Sequence, residues 1–155
     1  MRRLDSTIAY PFPTTPHASR IMKANPSRDT GPERRLRSEL HSRGRRFRVN
    51  LPLQVDKGRP VVTDIVFTRA RLAVFLDGCF WHGCPEHGSV PRGNAHYWAT
   101  KFRATQLRDR DTTARLECAG WHVLRLWEHM PLTAAADLVE AALDRDGLKR
   151  GREAR

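Results

Sequence analysis

The sequence is poor in cysteine and contains no long apolar run. Its three cysteines, Cys79, Cys84 and Cys118, are too few and odd in number for a framework of disulfides, which favours metal ligation by at least two of the thiols. No apolar stretch approaches the roughly 20 residues that a membrane span needs, and no signal-peptide pattern opens the chain. We therefore expect a soluble intracellular protein with no membrane partner.

Lysine is also scarce, whereas arginine is abundant. Only four of the 28 basic residues are lysines, and 17 acidic residues leave a formal net charge of +11. Arginine makes bidentate contacts with phosphate, but a GC-rich genome also favours arginine codons, so the net charge is the stronger indication. A positive field of this size on one domain is typical of proteins that bind a phosphate backbone.

The 155 residues are about the length of one domain. Residues 1–18 are rich in Pro, Ser and Thr and predict a mobile N-terminal arm. Residues 146–155 predict a basic C-terminal tail that frays. The folded domain is therefore expected to cover residues 19–145.

Four segments have the composition of strands and three have helix signals. Strands are predicted at 47–51, 63–67, 72–76 and 121–127, the second and third joined as a hairpin by the basic turn 68–71. A first helix is predicted to begin at Thr30, with Glu33 completing a capping box, and to end at Gly44. A long helix is expected from about 95 to 119, before Gly120, and a last helix from the cap Thr133 to about 143. This order predicts an α/β domain with a mixed central sheet.

A loop between the third strand and the long helix carries metal-ligand residues. Cys79, Cys84 and His87 have the spacing C-x4-C-x2-H, and His129 follows the last strand. Four S and N ligands from a close triplet and a distant element suit tetrahedral Zn²⁺, so the pattern predicts a structural zinc site. The alternative is a pair of buried thiols with surface histidines. Cys118 competes for the fourth position, but it lies on a helical stretch, where a buried free thiol is common.

Asp64 is an acid inside an otherwise apolar strand. Such a placement is costly unless a cation or hydrogen-bond donors meet the carboxylate. One interpretation is an edge-strand Asp in contact with Arg59 or Arg69. The other is a Mg²⁺ ligand at the centre of a sheet, where nucleases bind the metal that activates water.

Two further residues are candidates for proton chemistry. His82 lies out of step with the zinc ligands, so it is either a fifth zinc candidate or a base poised near neutral pH. Asp109 belongs to an inward-looking stripe of the long helix, where it is either functional or part of a buried ion pair with an Arg. That stripe consists of Phe102, Thr105, Asp109, Thr112 and Leu116.

These residues lie in motifs that resemble the very-short-patch repair (Vsr) endonucleases, in the same order over roughly residues 19–130. The most specific motif is the run from Asp77 to His82, which contains GCFWH. The other matching segments are Asp64–Phe67, Arg108–Asp109, Gly120–Trp121 with Trp127–Glu128, and Arg28–Thr30 with Glu33. The resemblance implies a restriction-endonuclease-like fold and a single-strand cut 5′ of the T in a T:G mispair, which arises when 5-methylcytosine deaminates.

The resemblance also implies roles for individual residues. Asp64 would hold Mg²⁺ by its side chain, with the Leu76 main-chain carbonyl as a second ligand. His82 would be the general base, Asp109 would orient it or metal-bound water, and Glu33 would assist at the metal-water site. Cys79, Cys84, His87 and His129 would fall at or near the zinc positions of the family, with Cys and His exchanged at two of them.

Mismatch recognition in this family uses side chains that insert into the base stack. Phe80, Trp81 and Trp98 occupy those positions, and Met22 matches an apolar wedge from the N-terminal segment. For Trp98 the alternative is a core aromatic on a helix face. Asp77 departs from the family because it stands where the best-known members have a catalytic-site His. It could add a carboxylate to the metal site.

The resemblance implies the partners and location as well. They are duplex DNA with a T:G mismatch, a monomeric state, a functional link to a DNA cytosine methyltransferase, and the nucleoid of the bacterial cytoplasm. One alternative is a related defence or restriction-type nuclease with another target, and another is a non-catalytic zinc-containing DNA-binding module. The presence of Asp64, His82 and Asp109 argues against the module.

Overall fold

A computed structural model describes residues 28–88 and 95–153, with side chains as far as Arg145. The predicted arm (residues 1–18) and Met22 lie outside the described residues. The elements in chain order are α1 (Gly31–Ser42), β1 (Arg48–Leu53), β2 (Val61–Phe67), β3 (Leu72–Asp77), α2 (Ala95–Cys118), β4 (His122–Trp127) and α3 (Leu132–Glu153). Within these ranges, none of the helices has the length and apolar character that crossing a membrane requires.

The four strands form one mixed sheet in the order β1-β2-β3-β4. β2 pairs antiparallel with both β1 and β3, whereas β4 lies parallel to β3 after the crossover through α2. Arg71 donates its N–H to the Thr68 carbonyl (3.3 Å) in the turn between β2 and β3, so the predicted hairpin is confirmed. The predicted mixed α/β architecture is confirmed as well.

Helices cover both faces of the sheet. Side chains alternate along a strand, so neighbours such as Ile65 and Val66 belong to different cores. The core under α1 and α3 contains Leu36, Leu40, Ile65, Phe67, Leu72, Val74, Leu126, Ala135, Ala136 and Val139. The core under α2 is smaller and contains Leu53, Val61, Val66, Ala73, Phe75 and Leu116. The remaining part of the α2 face is therefore available for polar groups.

The ends of α1 follow local sequence signals. Thr30 accepts the N–H of Glu33 (3.4 Å), and the Glu33 carboxylate accepts the Thr30 hydroxyl (3.0 Å). The backbone donor that Glu33 meets is Asp29 (2.9 Å), one residue before the cap. At the other end Gly44 has φ +75° and donates to the His41 carbonyl, which ends the helix as predicted.

The long helix α2 also ends as predicted, but α3 differs from expectation at both ends. Gly120 has φ +78° and donates to the Glu117 carbonyl just past α2. In α3, Ala135 donates to the Pro131 carbonyl (2.9 Å), so the helix begins at Leu132 and the prediction that Thr133 caps it is wrong. The backbone stays helical to Glu153 instead of ending near 143, because each residue added to an existing helix gains a hydrogen bond.

Candidate active site

The four predicted zinc ligands come together in a cluster. Their ligand atoms all lie within 4.8 Å of one another, although Cys79 and His129 are 50 residues apart. Nδ1 of His129 lies 3.0 Å from Sγ of Cys79 and 3.6 Å from Sγ of Cys84, which is 3.9 Å from Nδ1 of His87. Tetrahedral zinc places S and N ligands roughly 3.5 Å apart, so two thiols and two imidazoles at these separations fit the ion.

Backbone contacts of the loop after β3 build this cluster. Gly83 adopts φ +63°, which lets the chain turn between His82 and Cys84. Cys84 then donates its N–H to the Cys79 carbonyl (2.9 Å). The Cys79 N–H in turn donates to Oε1 of Glu128 (2.7 Å), just past β4. The loop is thus fastened to the end of the strand that precedes His129.

The two thiols of the cluster influence each other's ionisation. Burial, together with the neighbouring Cys84 thiol, raises the pKa of Cys79 to about 11. A metal ion between the two sulfurs would reverse this effect because it stabilises thiolates. Glu86 lies 3.6 Å from Nε2 of His129, on the ring nitrogen opposite the cluster, as carboxylates commonly do behind a metal-bound histidine.

Cys118 takes no part in this cluster. It is the last residue of α2 and is exposed, so the expected buried thiol is wrong. Leu116, two positions earlier, turns to the core instead. Within the described residues, His129 and not Cys118 lies beside the other three predicted ligands.

Asp64 lies in an internal strand, so its interpretation as an edge-strand residue is wrong. Its Oδ2 accepts the N–H of Leu76 in β3 (2.8 Å), and within the described residues its hydrogen bonds do not involve Arg59 or Arg69. Burial raises the pKa of the Asp64 carboxyl to about 6, and the negative charges of Glu33 and Asp77 add to the shift. This is an acid group in a position that would be stabilised by a cation.

His82 lies beside two carboxylates and outside the Cys/His cluster. Its Nδ1 lies 2.6 Å from Oδ2 of Asp109 and 3.6 Å from Oδ1 of Asp77. The cluster of four ligands does not include His82, so the structure does not support it as a fifth zinc ligand. Burial acts to raise the pKa of Asp109, but the hydrogen bond to His82 and the charge of Arg125 outweigh it, and the pKa is lowered.

Sequence reasoning missed Arg125, the residue that joins these carboxylates. Its Nε and Nη2 donate to the two oxygens of Asp77 (2.7 Å each), and Nη2 lies 3.2 Å from Oδ1 of Asp109. The guanidinium also lies 4.8 Å from the ring centre of Phe75. The segment 121–127 has the composition of an apolar strand, except for the charged residue Arg125, just as Asp64 is a charged residue within β2. This single charge in an apolar run is the sequence signal that could have identified Arg125 as a site residue.

The polar residues share the α2 face of the sheet. Arg125 pairs with Phe75 across the parallel strands, and Asp77 lies two residues further along β3, on the same side. Asp109 comes from the half-buried stripe of α2, which faces the sheet as predicted. Glu33, whose charge also acts on Asp64, is buried at the start of α1 and pairs with Arg37 (3.0 Å).

Asn50 is a second residue that sequence reasoning missed. It has the left-handed φ of +48°, which Asn adopts more readily than most residues, and it lies between the pairs Val49–Ile65 and Leu51–Thr63 of the β1–β2 register. Its Nδ2 reaches Oδ1 of Asp29 (3.4 Å), which leaves Oδ1 buried without a hydrogen-bond partner in the described structure. An unsatisfied buried oxygen in a residue that contacts a carboxylate is a feature of functional sites.

Aromatic side chains form a cluster between the loop and α2. The ring of Phe80 lies 5.0 Å from Trp81, 5.2 Å from Trp98 and 5.5 Å from Phe102, measured between ring centres. Phe80 and Trp81 are half-buried, whereas Trp98 is only 4% exposed. Three of the predicted intercalating residues therefore contact one another, with Trp98 packed as a core aromatic in this conformation.

Comparisons with known proteins find relatives of this chain. The sequence model of the family described as DNA mismatch endonuclease Vsr matches residues 13–86. The type II nicking enzyme V.NaeI of Lentzea aerocolonigenes is 45% identical over 142 residues, 92% of this chain and 84% of that protein. V.XorIIP, a type II nicking enzyme of Xanthomonas oryzae pv. oryzae, is 40% identical over 110 residues, 70% and 76% of the two chains. The DNA mismatch endonuclease Vsr of Escherichia coli is 37% identical over 114 residues, 71% and 68%.

Similarity of this extent defines the class first, because it covers most of the chain and includes the loop, strands and helix that build the site. The protein is a DNA endonuclease, and its substrate is DNA. More particularly, the chain belongs to the Vsr DNA mismatch endonuclease family, which confirms the resemblance seen in the sequence.

Proposed function

We propose that this protein is a Mg²⁺-dependent endonuclease with a restriction-endonuclease-like fold that nicks duplex DNA 5′ of the T in a T:G mismatch. The observation that carries the proposal is that Asp77 links Asp64 to the hydrogen-bonded pair His82–Asp109. The charge of Asp77 acts on the Asp64 carboxyl, and its Oδ1 lies 3.6 Å from Nδ1 of His82. A carboxylate for a metal and a histidine oriented by a second carboxylate are the parts that metal-assisted phosphodiester hydrolysis needs.

The oxygen ligands around Asp64 fit magnesium. Asp64 is half-buried, has a raised pKa, and feels the charge of Glu33 and Asp77, so the region carries more negative charge than it balances. Asp64 and the Leu76 carbonyl would hold Mg²⁺, a cation that prefers oxygen ligands. Bound there, the ion would supply a more acidic water and neutralise charge on the leaving oxygen.

The residues of the chain would then handle the proton. Nδ1 of His82 is occupied by Asp109, so Nε2 is the nitrogen that would accept a proton from the attacking water. Asp109 would hold the ring and stabilise the positive charge that the ring gains. Glu33 would assist at the metal-water site through its charge. Asp77 would contribute through Arg125, since both of its oxygens are already engaged.

Mismatch recognition is proposed for the aromatic cluster. Phe80 and Trp81 are the half-buried members on the loop, and they would insert into a step weakened by a T:G pair. Trp98 would have to leave its buried position to take part, so we propose that it supports the other two until DNA binds. Met22 is proposed as a wedge from the N-terminal segment.

The Cys/His cluster is proposed to hold structural Zn²⁺. His82 lies between the ligands Cys79 and Cys84 in sequence, as do Phe80 and Trp81. A metal that fixes both ends of this short segment would fix the base and the aromatic residues together. The zinc would thereby link folding of the loop to catalysis without entering the reaction.

A second candidate is a nicking enzyme of the same chemistry whose target is not the T:G mispair. The relatives V.NaeI and V.XorIIP, which are type II nicking enzymes, favour this candidate. The monomeric state, the methyltransferase link, the nucleoid location and the domain limits (1–18, 19–145, 146–155) remain predictions from sequence and resemblance.

End-labelled duplexes that differ at one pair, T:G, T:A or C:G, with randomised flanks, test both candidates. Each duplex is incubated with zinc-loaded protein and Mg²⁺, and the products are separated on a denaturing gel. We expect a cut only in the T strand of the T:G duplex. Equal cutting of all three would discard mismatch specificity and favour the second candidate. Binding without cutting under every flank and metal would reject the enzyme assignment.

A further inference from the structure

We propose that Arg125 is a positioning residue for DNA cleavage: by joining Asp77 to Asp109 it fixes the carboxylate that orients His82. The inference rests on the proposed function in taking His82 as the base. It goes further because it assigns a role to a residue, and to the departure at Asp77, that neither the motifs nor the resemblance explains.

The geometry forms a continuous chain of contacts. Arg125 grips Asp77 with two parallel hydrogen bonds of 2.7 Å, the arrangement in which a guanidinium is most rigid. The same Nη2 lies 3.2 Å from Oδ1 of Asp109, whose other oxygen lies 2.6 Å from Nδ1 of His82. Each Asp109 oxygen thus has its own partner, and the carboxylate cannot rotate without breaking one contact.

The surroundings keep Arg125 in place. Its side chain is 23% exposed, extends from the parallel strand β4, and lies against the ring of Phe75 on β3. Asp77 is still more enclosed, with 10% side-chain exposure. A carboxylate this buried requires a paired cation, because an unpaired buried charge is strongly destabilising. Arg125 is that cation, so Asp77 and Arg125 act as one unit at this end of the sheet.

Arg125 supplies the balancing charge next to His82. Asp77 and Asp109 both approach Nδ1 of His82, at 3.6 Å and 2.6 Å, and Arg125 contacts both carboxylates. Removing the guanidinium would leave two carboxylates competing for one imidazole N–H. The ring could then turn from Asp109 toward Asp77, and Nε2 would lose its fixed direction.

A different role, direct contact with a DNA phosphate, predicts different kinetics. Nη1 of Arg125 has no hydrogen-bond partner in the described structure, but it is buried, so such a contact would require the site to open. Loss of a phosphate contact weakens substrate binding and raises KM, whereas loss of a positioning contact lowers kcat. Separate measurements of kcat and KM therefore distinguish a positioning role from a phosphate contact.

The test compares Arg125→Met, Arg125→Lys, Asp77→Asn and the double variant Asp77→Asn/Arg125→Met on whichever duplex the wild type nicks. We expect Arg125→Met to lower kcat about 10- to 100-fold with little change in KM, the usual cost of losing such a supporting contact. Arg125→Lys should restore little, since an ammonium cannot make the paired bonds. The double variant should regain much of the loss, because it removes the unpaired carboxylate with the arginine.

A second readout is independent of activity. A hydrogen-bonded Nδ1 proton of His82 is expected to give a downfield NMR signal, which would be assigned by its loss in His82→Gln. In folded, zinc-loaded Arg125→Met we expect this signal to shift or broaden, and in the double variant to return. If Arg125→Met does not fold, Arg125→Lys replaces it in the same comparison.

The outcomes separate this inference from the proposed function. An unmoved Nδ1 signal, an unchanged kcat, a raised KM alone, or a double variant as slow as the product of the two single losses would each overturn the positioning role. A wild type that cuts none of the three duplexes would reject the proposed function. In that case the NMR comparison would still decide whether Arg125 positions His82.

Discussion

The two faces of the central sheet differ in what covers them. The face under α1 and α3 is closed by apolar side chains along its length, from Leu36 and Leu40 to Val139. The face under α2 is apolar only in part, and around Phe75 it carries Asp64, Asp77 and Arg125. One face therefore resembles the interior of any small α/β domain, and the other holds charges that have to be balanced.

The difference arises from strand alternation and not from separate segments of sequence. In β2, Ile65 and Phe67 face the apolar core while Asp64 between Thr63 and Ile65 faces the other way. Stability and chemistry thus come from the same strand but through different residues. Substitutions on the two faces are expected to separate the two properties.

The largest expected effect is on cleavage, from Asp64→Asn. Loss of a carboxylate that holds the catalytic cation is expected to reduce nicking by about 1,000-fold or more, since metal stabilisation supplies several kcal/mol. Asp56→Asn is the matched control, because it neutralises an exposed carboxylate that pairs with Arg115 away from the site. Nicking rates of both variants are compared under single-turnover conditions. Equal rates for Asp64→Asn and wild type would remove Asp64 from the mechanism.

The next largest effect is expected on zinc content and stability, from a substitution in the loop after β3 that carries the Cys/His cluster. Cys84→Ser is expected to lower both the zinc content and the free energy of unfolding, the latter by several kcal/mol, because structural zinc contributes directly to folding. Cys118→Ser is the control, since Cys118 is exposed and outside the cluster. Metal content is measured by atomic absorption and stability by denaturant titration. Full zinc occupancy with unchanged stability in Cys84→Ser would contradict a structural metal site.

A third substitution should affect only the apolar face. Leu40 is fully buried in α1, so Leu40→Ala is expected to destabilise the fold by about 2–5 kcal/mol through lost burial and a cavity. Leu138→Ala is the control because Leu138 is 44% exposed on α3. At a temperature where both variants stay folded, their nicking rates should match that of the wild type. A comparable loss of kcat in Leu40→Ala would show that the two faces are coupled.

The sequence predicts much of the fold because the relevant signals are local. Thr30, Gly44 and Gly120 mark helix ends through contacts within a few residues, and each is confirmed. Thr133 fails because a polar residue near a helix start is only a preference, and the Pro131 carbonyl already accepts the first helical bond.

The candidate site was predictable in part for the same physical reason. Three metal-type ligands lie within nine residues, so their spacing is visible in the sequence, and His129 is placed by the strand before it. Arg125 was not visible because its partners, Asp77 and Asp109, come from other elements, and pairing across elements depends on strand register and helix placement. Asp64 stood out by its chemistry, but its neighbours Glu33 and Leu76 required the folded chain.

The smallest expected effect is on the free energy of unfolding, and it comes from the Asp64 carboxyl. Burial raises the pKa of Asp64 from 3.8 to about 6, so the folded protein holds a proton there that the unfolded chain has released. Folding stability must then fall as pH rises through this window, because the folded state binds more protons than the unfolded state. Asp64→Asn removes the penalty and should be more stable than wild type by about 1–3 kcal/mol above pH 6, with the gap closing near pH 4.

Melting of the two proteins is measured from pH 4 to pH 8 in magnesium-free buffer without chelator, since a chelator would also strip the Cys/His cluster. Acid effects on that cluster are common to both proteins and cancel in the difference. Added Mg²⁺ should stabilise the wild type at pH 8 and leave Asp64→Asn unchanged. The difference in stability between the two proteins should therefore become smaller. A stability difference that is the same at pH 4 and pH 8 would show that the pKa of Asp64 is not raised in the folded protein. No cation would then be needed to explain its position on the α2 face.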